Sequence, residues 1–322
     1  MTIALVALTA VLFLASLCLG TSDISVGDAI LALSGGAVDT SVRTVVIDIR
    51  LLSALTALLA GGALSVSGLQ MQTYFSNPLA GPYVLGVSAG ASMGVALMML
   101  GTSLIAIPSW MSELGTVGSA WIGSAVVLSI ILVAAHRIRD IMVILILGMM
   151  FSGAVSAFVQ ILQFFSNEAA LKGYIIWTMG SIGSVTRSQM PWLTVGVVLG
   201  IIPAVFTIKA LNMMLMGRTY AMTLGLNMRL TQWLIFGSTS LLAGTVTAFC
   251  GPIGFIGLAV PHITRLLYGT SDHRLLMPGS FLTGSSLLLL CNLLCTRWGI
   301  PLNAATSLLG IPIAVWIVLR NR

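Results

Sequence analysis

Charge is scarce in this chain. Only 7% of its residues are Asp, Glu, Lys or Arg, where a soluble domain carries roughly 25%. Hydrophobic residues make up 58% and mean hydropathy is +1.09. A soluble globule of 322 residues could not hide so much apolar surface, so a bilayer must solvate it. Lysine is nearly missing: Lys172 and Lys209 stand alone, and neither follows a glycine. The phosphate loop G-x-x-x-x-G-K-[ST] is therefore lacking. If ATP drives this protein, the motor is another polypeptide, and the chain is not expected to be an enzyme.

Only eight residues are acidic, and every one sits at the end of an apolar run or in a loop. Ion-coupled carriers place Asp, Glu or His inside the bilayer. The pattern argues against a secondary transporter of the same topology, which stays open as an alternative because carbonyls can hold sodium. The histidines His136, His262 and His273 fall toward one side or its loops. Cys18, Cys250, Cys291 and Cys295 lie in apolar stretches and read as small buried hydrophobes. No spacing suggests a metal site, and no bound cofactor is expected. The net charge of +6, spread over fourteen Lys and Arg, is no nucleic-acid footprint and reads as membrane topology.

What is present is a series of apolar runs, at 3–20, 51–71, 83–101, 117–136, 141–165, 192–208, 230–250, 253–268, 276–296 and 304–319. A helix needs about 20 apolar residues to cross a bilayer. The expected fold is an all-α membrane protein of about ten transmembrane helices, one permease domain over 1–322. Met1-Thr2 offers no basic segment of the kind that opens a cleaved signal peptide, so the first run reads as a retained helix.

With both termini in the cytoplasm, the inner loops hold Arg137, Arg139, Lys209, Arg218, Arg229, Arg265, Arg274, Arg320 and Arg322. The outer loops hold only Arg43, Arg50, Lys172, Arg187 and Arg297. This is the positive-inside bias. Outer loops are expected at 21–49 and 166–190, the latter an interfacial helix or a re-entrant turn. The longest inner loop, 209–229, is basic and Met-rich; it suits a cytoplasmic partner, or a helix lying on anionic lipid headgroups.

Leu59-Ala60-Gly61 with Gly68, and Leu242-Ala243-Gly244 with Gly251, form a faint repeat. Each copy precedes a broken segment: Asn77-Pro78-Leu79-Ala80-Gly81-Pro82 in the first, Gly251-Pro252-Ile253-Gly254 in the second, followed by Pro261. The topology turns the two copies opposite ways, an inverted repeat of the kind transporters use. Gly90-Ala-Ser-Met-Gly94 fits the G-x-S-x-G pattern of serine hydrolases, but it lies in an apolar helix without a strand before it. Gly86, Gly90 and Gly94 instead read as a small-residue packing face.

Three blocks are specific: GLQMQTYFSNPLAGPYVLGVSAG from Gly68, GPIGFIGLAVPHITRLLYGTSDHRLLMPG from Gly251, and PLNAATSLLGIPIAVWIVLR from Pro301. They resemble the permeases of ABC-class importers for iron siderophores, haem and cobalamin. The resemblance implies a homodimer around a central pathway, two cytoplasmic ATP-binding subunits, an extracytoplasmic substrate-binding protein and a metal-chelate substrate, in a bacterial inner membrane. The family's coupling segment is similar to Gly217-Arg218-Thr-Tyr-Ala221-Met-Thr-Leu224-Gly225, with Arg218 where an acid is usual. By the same resemblance, Arg50 and Arg297, with Arg43 in support, are docking positions for the binding protein. An inner gate is expected near Arg139, Asp140 and Ile141, and helices 141–165 and 304–319 are expected to line the pathway.

Overall fold

The computed structural model describes residues 1–20, 24–36, 38–101, 109–138 and 141–320. For the helical residues 109–114, 135–137, 141, 314 and 316–320 only the backbone is described. Among the described residues the fold is all-helical. In chain order come α1 (Thr2–Cys18), α2 (Val26–Ser34), α3 (Thr40–Thr44), a π-helical turn (Val45–Leu51), α4 (Leu52–Tyr74), a 3-10 turn (Pro82–Leu85), α5 (Val87–Met99), α6 (Ser109–Arg137) and α7 (Ile141–Phe165). Then follow α8 (Glu168–Thr178), α9 (Met190–Phe206), α10 (Ile208–Met214), α11 (Arg218–Thr223), α12 (Met228–Cys250), α13 (Ile256–Tyr268), α14 (His273–Trp298) and α15 (Leu302–Arg320).

Each apolar run is a helix, but not each is long. Among the described residues, Thr40–Tyr74, Gly115–Ala134, Met142–Phe165, Met228–Cys250 and His273–Trp298 are long and apolar enough to cross a membrane, and α9 with α10, bent by 49°, make a further broken span. The runs 83–101 and 253–268 do not form single spans. Their helices, α5 and α13, have 13 residues each, about 20 Å at 1.5 Å per residue, against about 30 Å of hydrocarbon. The reason is local: Pro78, Gly81 and Pro82 allow no more than a 3-10 turn before α5 starts at Val87, and Gly251, Pro252 and Gly254 hold off α13 until Ile256.

The stretches expected to be loops are also partly helical. Residues 21–49 contain α2 and α3, and α3 runs through the π-helical turn into α4. Residues 166–190 contain α8, capped by Asn167, whose side chain accepts the Ala170 N–H at 2.8 Å. Residues 209–229 contain α10 and α11.

The inverted repeat has a physical form. α4 and α12 both have 23 residues. Each is followed by a break and a 13-residue helix. The residue before each short helix, Gly86 in one copy and Phe255 in the other, has left-handed φ (74° and 65°). Packing is exchanged between the copies: α4 lies against α14, and α12 against α6.

Lipid offers little hydrophobic drive for helix association, so close contact rests on small residues. A Cβ at Gly61 would overlap the Gly284 carbonyl, and one at Gly94 would overlap that of Ser119. Gly90 and Gly94 thus pack α5 on α6, as a helix-packing reading of the G-x-S-x-G stretch expects. Gly86 is not on that face; it caps α5 beside Gly148 and Ser152 of α7.

Candidate functional site: a crossover of broken helices between two polar ends

The two breaks meet. After α4 the chain turns at Ser76 (φ 46°) and runs back along α13 in the opposite direction. His262 Nε2 lies 2.8 Å from the Pro78 carbonyl at one end of this pairing. At the other end the Tyr83 hydroxyl accepts the Ile253 N–H at 3.3 Å. Between them a Cβ at Gly257 would strike the Pro82 ring, and one at Gly68 would overlap the Gly257 carbonyl. Pro78, Pro82 and Tyr83 of the first break thus meet His262, Gly257 and Ile253 of the second at one crossover, flanked in sequence by Asn77 and Gly81 and by Gly251, Pro252, Gly254 and Pro261. Such non-helical backbone is tolerated at membrane depth only inside protein, and Pro82 and Ala80 are indeed buried.

The second break is held by a residue the sequence reading did not single out. Asn303, at the start of α15, accepts the Gly254 N–H at 3.0 Å. It donates to the carbonyls of Pro252 at 2.7 Å and Thr178 at 2.9 Å. Its own N–H reaches the Met179 carbonyl at 3.1 Å. One side chain thus ties α8, the break and α15 together. Gly251 has φ 75°, and a Cβ there would overlap the Trp177 carbonyl, so only glycine fits. A polar amide at the head of an apolar helix was the available signal.

At the same end lie the arginines. Arg50 is buried, 6% exposed. Its Nη1 donates to the carbonyls of Leu17 at 3.0 Å and Cys18 at 2.7 Å, so a cation closes the negative end of α1. Arg297 donates to the Gly20 carbonyl at 3.3 Å from an exposed position. Arg43 is exposed on α3. A cavity of about 510 Å³ opens here, with Arg50, Ser53, Gly180, Asn292 and Thr296 in its wall.

At the opposite end, α9 bends into α10 at Thr207, whose hydroxyl donates to the Ala204 carbonyl at 2.6 Å. Gln70 of α4 donates to that hydroxyl at 3.1 Å and accepts from Ser238 of α12 at 3.0 Å. Beyond the bend, Gly217 (φ 100°) and Gly225 (φ 86°) bracket α11. Ala221 is buried under it, while Met216, Tyr220 and Leu224 are exposed. Arg218 turns inward: its guanidinium sits 4.9 Å from the centre of the Tyr74 ring. The expected inner gate cannot be placed, because Arg139 and Asp140 lie outside the described residues and only the backbone of Ile141, the first residue of α7, is described.

A model of the FecCD transport family matches residues 8–320. The chain belongs to the FecCD transport family. It is 34% identical over 319 residues to the vitamin B12 import system permease protein BtuC of Shigella boydii, covering 96% of this chain and 91% of that one. It is 35% identical over 314 residues to the BtuC of Salmonella typhi, with the same coverage. Among solved structures it matches one described as an inward-facing conformation of a metal-chelate type ABC transporter. That match has a TM-score of 0.85 and 27% identity, and covers 99% of this chain and 98% of the other. This FecCD-family chain is thus a multi-pass membrane transport protein. Its crossover, its arginine-bearing end and its α10–α11 hairpin are parts of a transport scaffold.

Proposed function

We propose that this chain is the permease subunit of an ATP-driven importer of a metal chelate: cobalamin, a ferric siderophore or haem. Two copies enclose the pathway in a bacterial inner membrane, with both termini in the cytoplasm. Two ATP-binding subunits dock on the α10–α11 hairpin, through the segment from Gly217 to Gly225. A substrate-binding protein docks on the opposite face, steered by exposed Arg43 and Arg297, while Arg50 holds that face in shape from within. The inner gate lies near Arg139, Asp140 and Ile141.

The observation that carries this reading is the hairpin. A helix held between two left-handed glycines, with Met216, Tyr220 and Leu224 uncovered on it, supports docking of a protein there. Charge does not explain it, since Arg218 is spent on Tyr74. The relatives' name supports cobalamin as the first substrate to try.

The test is affinity purification of the tagged protein from its native membrane, under detergent conditions that preserve a known ABC complex. Recovery of a P-loop ATPase and a chelate-binding protein is expected. Recovery of the chain alone, with ATP-independent uptake in vesicles, would replace this reading with an ion-coupled carrier.

A further inference from the structure

A hairpin that grips a motor serves transport only if its movement reaches the core helices. The polar contacts around α10 show a route. Asn212 of α10 donates from Nδ2 to the Asp272 carboxylate at 2.6 Å. A carboxylate only accepts, so the amide orientation is set and Oδ1 faces His273. That oxygen receives the His273 backbone N–H and lies 2.8 Å from His273 Nδ1. Nδ1 must therefore carry the proton. Nε2 is left as an acceptor, 2.8 Å from the Thr73 hydroxyl of α4. The result is a one-way chain of donors: Thr73 to His273, His273 to Asn212, Asn212 to Asp272.

The chain is buried at its α4 end, where His273 is 1% exposed and Thr73 6%, and half-buried at Asn212 and Asp272. It is anchored at both ends. Asp272 caps α14 through the Arg274 N–H at 2.9 Å. α4 and α14 are pressed together through Gly61, Gly284 and the bond from Ser285 to the Leu58 carbonyl at 2.7 Å. Whatever turns α10 therefore pulls on the adjoining ends of two core helices that are packed against each other.

We propose that Asn212 is the positioning residue that carries motor movement from the α10–α11 hairpin into the α4–α14 pair. The proposal rests on the reading of that hairpin as the motor-docking element. It predicts that Asn212 governs communication between the two faces of the membrane, beyond its contribution to stability.

The test uses the assembled complex of permease, ATPase and binding protein in proteoliposomes. The readout is the ratio of ATP hydrolysis with the binding protein to hydrolysis without it. Asn212→Asp sets two carboxylates face to face and should lower this ratio at least about fivefold, the low end of typical coupling between sites. Asn212→Asp with Asp272→Asn exchanges donor and acceptor and should restore it. Thr73→Val removes one link without changing volume, and should lower the ratio less. It carries the test if Asn212→Asp does not assemble. An unchanged ratio in Thr73→Val and in every Asn212 variant that assembles overturns the proposal. If the wild-type chain recruits no ATPase at all, the functional reading fails instead.

Discussion

Gly68 of α4 and Gly257 of α13 meet backbone to backbone, so closely that a Cβ on Gly68 would overlap the Gly257 carbonyl. This contact lies where the broken helices cross. It explains how a 23-residue span and a 13-residue half-span lie against each other with so little between them.

Gly68→Ala is expected to disrupt the fold. Overpacking a filled interior costs about 1–3 kcal/mol when side chains can yield, and here the obstacle is backbone. Gly237→Ala is the control, because a Cβ there meets nothing within 4 Å. Thermal unfolding in detergent should show a large loss for the first and a change within about 0.5 kcal/mol for the second.

Asn303→Leu should loosen one end of the molecule without unfolding the rest. It strands the Gly254 N–H and the carbonyls of Thr178 and Pro252, at about 1–3 kcal/mol for each group left unsatisfied. Hydrogen exchange should rise in α8 and in residues 251–255, with α4 unchanged. Equal exchange in both proteins would remove Asn303 from its role as the tie.

The arginines should separate by assay. Arg43→Glu and Arg297→Glu are expected to slow association of the binding protein, most of all at low salt, because exposed charges steer more than they hold. Arg50→Ala should instead lower stability by about 1.5–3 kcal/mol, the scale of hydrogen bonds to a charged group, since it loses the Leu17 and Cys18 carbonyls. Association rates measured at two ionic strengths, beside melting curves, distinguish the two classes.

Asp272 should make stability pH-dependent. The Arg274 N–H, and then the Asn212 amide, hold its carboxyl below the usual carboxylate range. A carboxyl depressed in the folded state contributes stability that is complete above its unfolded pKa, about 3.9, and is lost as pH falls through the folded value. The melting difference between wild type and Asp272→Asn should be largest near neutrality and shrink below about pH 4.

Much of this fold was readable in the chain. Apolar runs marked every helix of the core, because lipid leaves no other way to satisfy the backbone. The Leu-Ala-Gly pairs and the Pro/Gly breaks pointed to the repeat, because those residues act on their own backbone. Gly217 and Gly225 bracket α11, inside a stretch that reads from the sequence as a loop. What stayed hidden was pairing over distance. Arg50 and Arg218 read as outward charges, yet one closes α1 and the other lies on Tyr74. Nothing near them in sequence names those partners. Asn303 lies in a motif quoted whole, but its bonds run to residues 125 and 51 positions away.

The sequence by itself determined that this is a helical membrane protein and where its helices break, because composition, proline and glycine act locally. Only the tertiary structure decided that the two breaks cross each other, that Asn303 latches one end, and that Asn212 links the hairpin to the core. Those depend on which small residues let backbones approach and which buried polar groups then find each other, and that is settled only when the helices have packed.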